Sequence, residues 1–156
     1  MKDSIKAIIR AQPYFEGMKP DHLDIVVDSA IEMTFEPEEI LFHEGEPANR
    51  LYLIEAGGVV LEAHEPADGT VVIQTLGPGE LLGWSWLFPP FVWHFRARAV
   101  APTRAILLDG AHLLIAAERD HDFGYRLMKR VAQVLIHRLE ATRQQLLKRP
   151  DRALAA

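Results

Sequence analysis

Ile40-Leu-Phe-His-Glu-Gly-Glu-Pro-Ala-Asn-Arg-Leu-Tyr-Leu-Ile-Glu-Ala-Gly-Gly-Val-Val60 sets three short apolar runs around Gly45 and the Gly57-Gly58 pair. Short β-branched and aromatic runs cornered by glycine are the texture of antiparallel sheet. The same texture extends outward from Ile31 to Asp109 and predicts strands at Ile31–Phe35, Ile40–His43, Arg50–Glu55, Gly58–His64, Val71–Leu76, His94–Val100 and Arg104–Asp109. Asp68-Gly69 between two of these runs predicts a hairpin. So many short strands in so short a span imply a closed or nearly closed sheet.

Helices flank the sheet. Ile5, Ile8 and Ile9 recur at helical spacing from Ser4 to Ala11, and Pro13 stops them; a second helix runs from Pro20 through Leu23, Val26 and Val27 to Ala30. After Asp109 come Ala111–Glu118 and a long helix from Asp122 to Lys148, ended by Arg149-Pro150. Within it Met128, Ala132, Leu135, Leu139, Thr142 and Leu146 alternate spacings of four and three, a heptad seam that predicts a homodimer interface. Leu127, Val131 and Val134 form a second stripe, suited to packing on the sheet. The expected organisation is a single domain over residues 1–156: helices to residue 30, sheet over 31–109, helices over 110–148 and a frayed tail over 149–156.

Composition narrows the function. The chain of 156 residues is one domain's length. A formal charge of -5 argues against a phosphate-neutralising face, so no direct DNA binding is expected. The absence of cysteine excludes disulfides, cysteine-ligated metal and thiol nucleophiles. No signal-like or membrane-spanning apolar run is present, and the expectation is a soluble cytoplasmic protein without a membrane partner.

The positions Phe42, Gly45-Glu46, Tyr52, Ile54, Gly57 and Val59, the run Leu76-Gly-Pro-Gly-Glu-Leu-Leu-Gly83 and the run Pro102-Thr-Arg-Ala-Ile-Leu-Leu-Asp109 resemble the cyclic-nucleotide-binding domain family. The resemblance implies an α+β, mainly β fold: an antiparallel β-roll (a double-stranded β-helix, jelly-roll-like) with N-terminal helices and a long C-terminal helix. It also implies a ligand site. In members that hold a cyclic nucleotide, a Glu after the cassette glycine takes the ribose hydroxyl, an Arg about ten residues on pairs with the phosphate, and backbone N–H groups of the intervening short helix cradle its oxygens.

Carried over position by position, the glycine falls on Gly83 and the ribose Glu on Trp84, which offers no acceptor. The phosphate Arg falls on Trp93 when counted back from Thr103-Arg104, or on His94 when counted forward from Gly83. Neither is an arginine. The candidate ligand-binding residues are therefore Leu82, Gly83, Trp84, Ser85, Trp86, Trp93, His94, Phe95 and Arg96. Strand alternation puts Trp93, Phe95, Ala97 and Ala99 on the inward face and His94, Arg96, Arg98 and Val100 on the solvated one. A bulge near Pro89-Pro90 would reverse that register, which keeps His94 and Arg96 among the candidates. The clustered aromatics either fill the former pocket, the preferred reading, or line it for a flatter, more apolar ligand. Ser85 could still help hold an anion.

The resulting reading is a non-enzymatic regulatory or sensor module with atypical or lost cyclic nucleotide binding. Its only candidate cofactor is a cyclic nucleotide or another small ligand. Its partners are a second copy through the C-terminal helix and an unknown protein, since transcription-factor relatives continue into a helix-turn-helix domain and here six residues follow Pro150. The alternatives are a ligand-free protein-interaction scaffold and a cupin-like metal-dependent enzyme, against which His43 and His64 stand alone. Gly83-Trp-Ser85-Trp-Leu87 lacks the closing glycine of a nucleophile elbow. His22, His112, His121 and His137 lack a ligand partner at helical spacing, so no catalytic or metal residue is assigned.

Overall fold

Two four-stranded antiparallel sheets face each other, ordered β1-β8-β3-β6 and β2-β7-β4-β5. Their strands are β1 (Ile31–Phe35), β2 (Ile40–Phe42), β3 (Arg50–Ala56), β4 (Val59–Glu65), β5 (Gly69–Leu76), β6 (Leu81–Leu82), β7 (Arg96–Ala99) and β8 (Thr103–Asp109). Helices α1 (Lys2–Arg10) and α2 (Pro20–Asp28) precede them, and α3 (Gly110–Arg119) and α4 (His121–Lys148) follow. The structure, a computed structural model, describes residues 2–148. The predicted tail at 149–156 lies outside the described residues.

The β-roll is the expected fold, with one strand more than the sequence pattern predicts. β6 is only two residues long and pairs Leu81 with Leu53 and Leu82 with Tyr52, too short for alternation to reveal. β7 starts at Arg96 rather than His94. Ahead of it, Trp93 exchanges backbone hydrogen bonds with the Gly45-Glu46 turn, which pulls the chain out of the sheet ladder. The Asp68-Gly69 hairpin forms, with Pro66, Ala67 and Asp68 as its loop and Glu65 opposite Gly69.

Alternation along β7 holds: Ala97 and Ala99 are fully buried while Arg96 and Arg98 face outward. β3 and β8 are buried on both faces because helices cover their outer side. Leu51 and Leu81 share one small apolar gap there with Phe15, Leu127, Val131 and Val134. Leu127, Val131 and Val134 thus form the stripe that seats α4 on the roll, as their spacing predicts, while buried Phe123, one turn earlier, packs edge-on against His22 of α2.

The heptad positions lie on the side of α4 turned from that stripe, with one exception. Met128, Ala132, Leu139 and Leu146 are exposed and Leu135 is half-buried, whereas the Thr142 hydroxyl accepts a hydrogen bond from Gln74 Nε2 at 3.1 Å. Thr142 is therefore tied to the roll, where its hydroxyl can be satisfied, and is corrected from seam to roll contact. Exposed Tyr125, Ile136 and Leu147 widen the apolar face instead.

The junction of β8 and α3 is tightly specified. The Asp109 carboxylate caps α3 by accepting from the Ala111 and His112 amides at 2.9 and 3.3 Å. A Cβ on the next residue, Gly110, would sit 2.7 Å from the Trp86 ring and 3.1 Å from the Asn49 carbonyl. Gly110→Ala is expected to destabilise the fold by about 1–3 kcal/mol through overpacking, read as a lower urea midpoint; an unchanged midpoint would show that Trp86 yields freely.

Candidate functional site

The segment from β6 to β7 carries the would-be phosphate cassette, and its backbone is held open at one glycine. Gly83 has φ +102°, and a Cβ there would approach the Arg50 carbonyl to 2.6 Å and the Trp93 ring to 2.9 Å. Only glycine fits that position. Trp93, one of the two positions on which the phosphate arginine falls, is 4% exposed and stacks on Phe42 at 3.9 Å between centroids and 14° between planes. Tyr52 packs against the same ring at 6.2 Å. Trp86 is buried, its Nε1 donating to the Gly83 carbonyl at 2.5 Å. Trp93, Phe42, Tyr52 and Trp86 are core, whereas Trp84 is half-buried and Phe88 and Phe91 are exposed.

What remains open is a cleft of about 80 Å³ between the roll and α4, well below the roughly 300–1,000 Å³ of ordinary small-molecule sites. Leu82, Gly83, Trp84, Ser85, Trp93 and Phe95 line it, joined by Phe42, Leu61 and Ile73. The structure thus brings together six of the nine predicted site residues. Trp86 lies behind the cleft against Gly110. His94 is exposed beside Trp84, the ring centroids 6.1 Å apart.

Arg96 is not a cleft residue, and neither it nor Arg98 is simply solvated. Both grip Glu62 of β4, which is 3% exposed: Arg96 Nη2 lies 2.9 Å from Oε1 and Arg98 Nη2 2.9 Å from Oε2, while Arg98 Nη1 reaches Glu38 at 2.7 Å. The Arg98 hydrogen bond foremost, with Arg96 adding to it against the cost of burial, holds the Glu62 carboxyl below the usual carboxylate range. The register is the alternating one, so the reversal that would have turned His94 and Arg96 inward does not occur.

Residues 32–120, more than half of the chain, match the model of the cyclic nucleotide-binding domain. The chain belongs to that family. Among curated relatives, the CRP-like cAMP-activated global transcriptional regulator of Mycobacterium tuberculosis is 26% identical over 95 residues, 61% of this chain and 42% of the relative. Acetyltransferase Pat of Mycolicibacterium smegmatis is 31% identical over 77 residues, 49% of this chain and 23% of the relative. The chain spans less than half the length of these curated relatives. Among solved structures, the N-terminal domain of a transcriptional regulator from Streptomyces coelicolor A3(2) superposes with a TM-score of 0.67 at 26% identity, over 92% of this chain and 98% of that one.

Besides Ser85 and Thr142, the polar groups that face the cleft come from two residues the sequence pattern passes over, Gln74 and Arg138. Gln74 on β5 is 4% exposed and donates Nε2 to the Arg138 carbonyl at 2.7 Å. The Arg138 guanidinium donates back to Gln74 Oε1 at 3.2 Å and to the Leu81 carbonyl. One signal was available: Arg138 follows Val134 by four residues, continuing the buried stripe of α4. Among the described residues no group of three or more His, Asp or Glu could share a metal ion, and no helix is long and apolar enough to cross a membrane.

A second titratable cluster sits away from the cleft. Glu55 is pushed up to about 7 from an ordinary 4.5, by burial first and then by Glu32 beside it, with Arg104 opposing. The folded protein then holds this proton more tightly than the unfolded chain, so the contribution is full below pH 4.5 and is lost as pH rises through about 7. Glu55→Gln is expected to flatten the decline in unfolding free energy across that window in urea titrations at several pH values; an unchanged slope would remove Glu55 as its source.

Proposed function

We propose that this chain is a non-enzymatic regulatory module whose roll does not grip a cyclic nucleotide through the ribose and phosphate contacts of its family, and which pairs with a second copy through α4. The observation that carries the first half is the Trp93–Phe42 stack against Gly83, which occupies the phosphate side and leaves a cleft of about 80 Å³. Trp84, at the ribose position, has no oxygen to accept a hydroxyl. A cyclic phosphate is an anion that needs a fixed fork of donors, and the two arginines nearest in sequence are committed to Glu62. The Mycobacterium tuberculosis relative is cAMP-activated; for this chain we infer a different trigger.

The second half rests on the exposed face of α4. Met128, Leu139 and Leu146 fall on one stripe, Leu139 being 68% exposed. A heptad stripe is self-complementary, so a second copy satisfies it. Because α4 also seats on the roll through Leu127, Val131 and Val134, a change in the roll can reach the pairing surface through one rigid helix.

Calorimetric titration with cyclic AMP and cyclic GMP is expected to give no saturable heat at millimolar nucleotide; micromolar binding of either would overturn the first half. Light scattering is expected to give twice the 17.6 kDa chain mass, and Leu139→Lys to return one chain mass with an unchanged circular dichroism spectrum. A monomeric wild type would overturn the second half.

A further inference from the structure

Two arginines of α4, Arg130 and Arg138, donate to neutral oxygens and are drawn down by burial, and of the two only Arg138 borders the cleft beside Gly83. Arg138 continues the stripe that seats α4, and its guanidinium donates to the oxygens of Gln74 and Leu81. Among the described residues no carboxylate lies within ion-pair distance of it. The same fold treats Arg96 and Arg98 differently, giving both a buried carboxylate in Glu62. Burial draws the Arg138 guanidinium below its ordinary range, with Glu80 across the neighbouring space and Tyr14 opposing the shift only in part, so the cation has lost water without gaining a carboxylate in direct contact.

Arg138 also lines two spaces at once. One is the apolar cleft beside Trp84, Trp93 and Phe95. The other, of about 240 Å³, lies across Gln74 toward Tyr14, Glu80 and His137. The Glu80 carboxylate there accepts from the Gly77 amide at 2.7 Å, and the Tyr14 hydroxyl is paired with His137 Nδ1. Arg138 keeps N–H donors beyond the two it uses, since a guanidinium carries five. An apolar cleft bounded by a desolvated fork of donors has the recognition chemistry of an amphipathic anion.

We propose that the cleft between the roll and α4 takes a small apolar monocarboxylate, its ring or chain against Trp84, Trp93 and Phe95 and its carboxylate on Arg138. This rests on the reading that the roll is a regulatory site no longer shaped for a cyclic nucleotide. A bare inorganic anion would leave the aromatic walls uncovered, and a neutral apolar molecule would leave the guanidinium without a counter-ion. The acid satisfies both. By offsetting the cost of holding Arg138 away from water it would favour the guanidinium in its place against Gln74 of β5 and Leu81 of β6, and so couple the cleft to the helix that carries the exposed apolar stripe.

The test is a titration followed by tryptophan fluorescence, because Trp84 and Trp93 line the cleft. Benzoate, phenylacetate and hexanoate are each compared with the corresponding amide, on the wild type and on Arg138→Gln, with cyclic AMP as a separate arm. At least one acid is expected to saturate, its amide binding roughly tenfold or more weakly, and Arg138→Gln to weaken the acid by a similar factor while leaving the amide unchanged. Equal affinity for acid and amide, or no saturation by any of the three acids at millimolar concentration, overturns the proposal. The acid–amide comparison on the wild type decides the matter even if Arg138→Gln does not fold. Saturable binding of cyclic AMP overturns the reading beneath it, whereas silence toward both cyclic AMP and the acids overturns this inference alone.

Discussion

The stacking of Trp93 on Phe42 beside Gly83 is the contact on which the interpretation of this roll depends. It joins the loop before β7 to β2, sets an indole at one of the two positions on which the family's phosphate arginine falls, and requires a residue without a Cβ opposite it. An aromatic ring of this size contributes to stability by burial as well as by stacking geometry. Around Gly83 the rings are closely packed, and close packing tolerates no large ligand without displacement of a ring.

Charge placement follows the same logic. The outer face of β7 gathers Arg96 and Arg98 onto buried Glu62, a closed network in which each ion is neutralised locally. Inside, Arg138 has only neutral oxygens. A fold that settles one pair of arginines so fully and leaves another guanidinium desolvated has put the second where something else can complete it. Its position on α4, between the roll and the exposed apolar stripe, connects that site with the surface through which the chain is proposed to pair.

Much of this is legible in the sequence. Glycines at strand corners, the alternation of Trp93, Phe95, Ala97 and Ala99, and the two stripes of the last helix follow from backbone geometry, which repeats at two residues in strands and 3.6 in helices. The failures have physical reasons too. β6 pairs through two residues, less than one full alternation, and leaves no periodic trace. Thr142 fits a heptad by spacing, yet its hydroxyl turns to Gln74, because a buried amide needs a partner more than the seam needs a methyl group. Arg138 is hidden by its own charge, since a search for apolar stripes skips the cation lying within one. Glu62 belongs with it: nothing in a β-strand pattern marks a carboxylate as buried until the arginines that compensate it are in place.

The central claim is that the roll is closed to cyclic nucleotides by its own aromatic core. A crystal structure of the protein grown with millimolar cyclic AMP tests it most directly. The account predicts Trp93 stacked on Phe42 and no nucleotide between the roll and α4; electron density for cyclic AMP beside Gly83, with Trp93 swung away from Phe42, would contradict it.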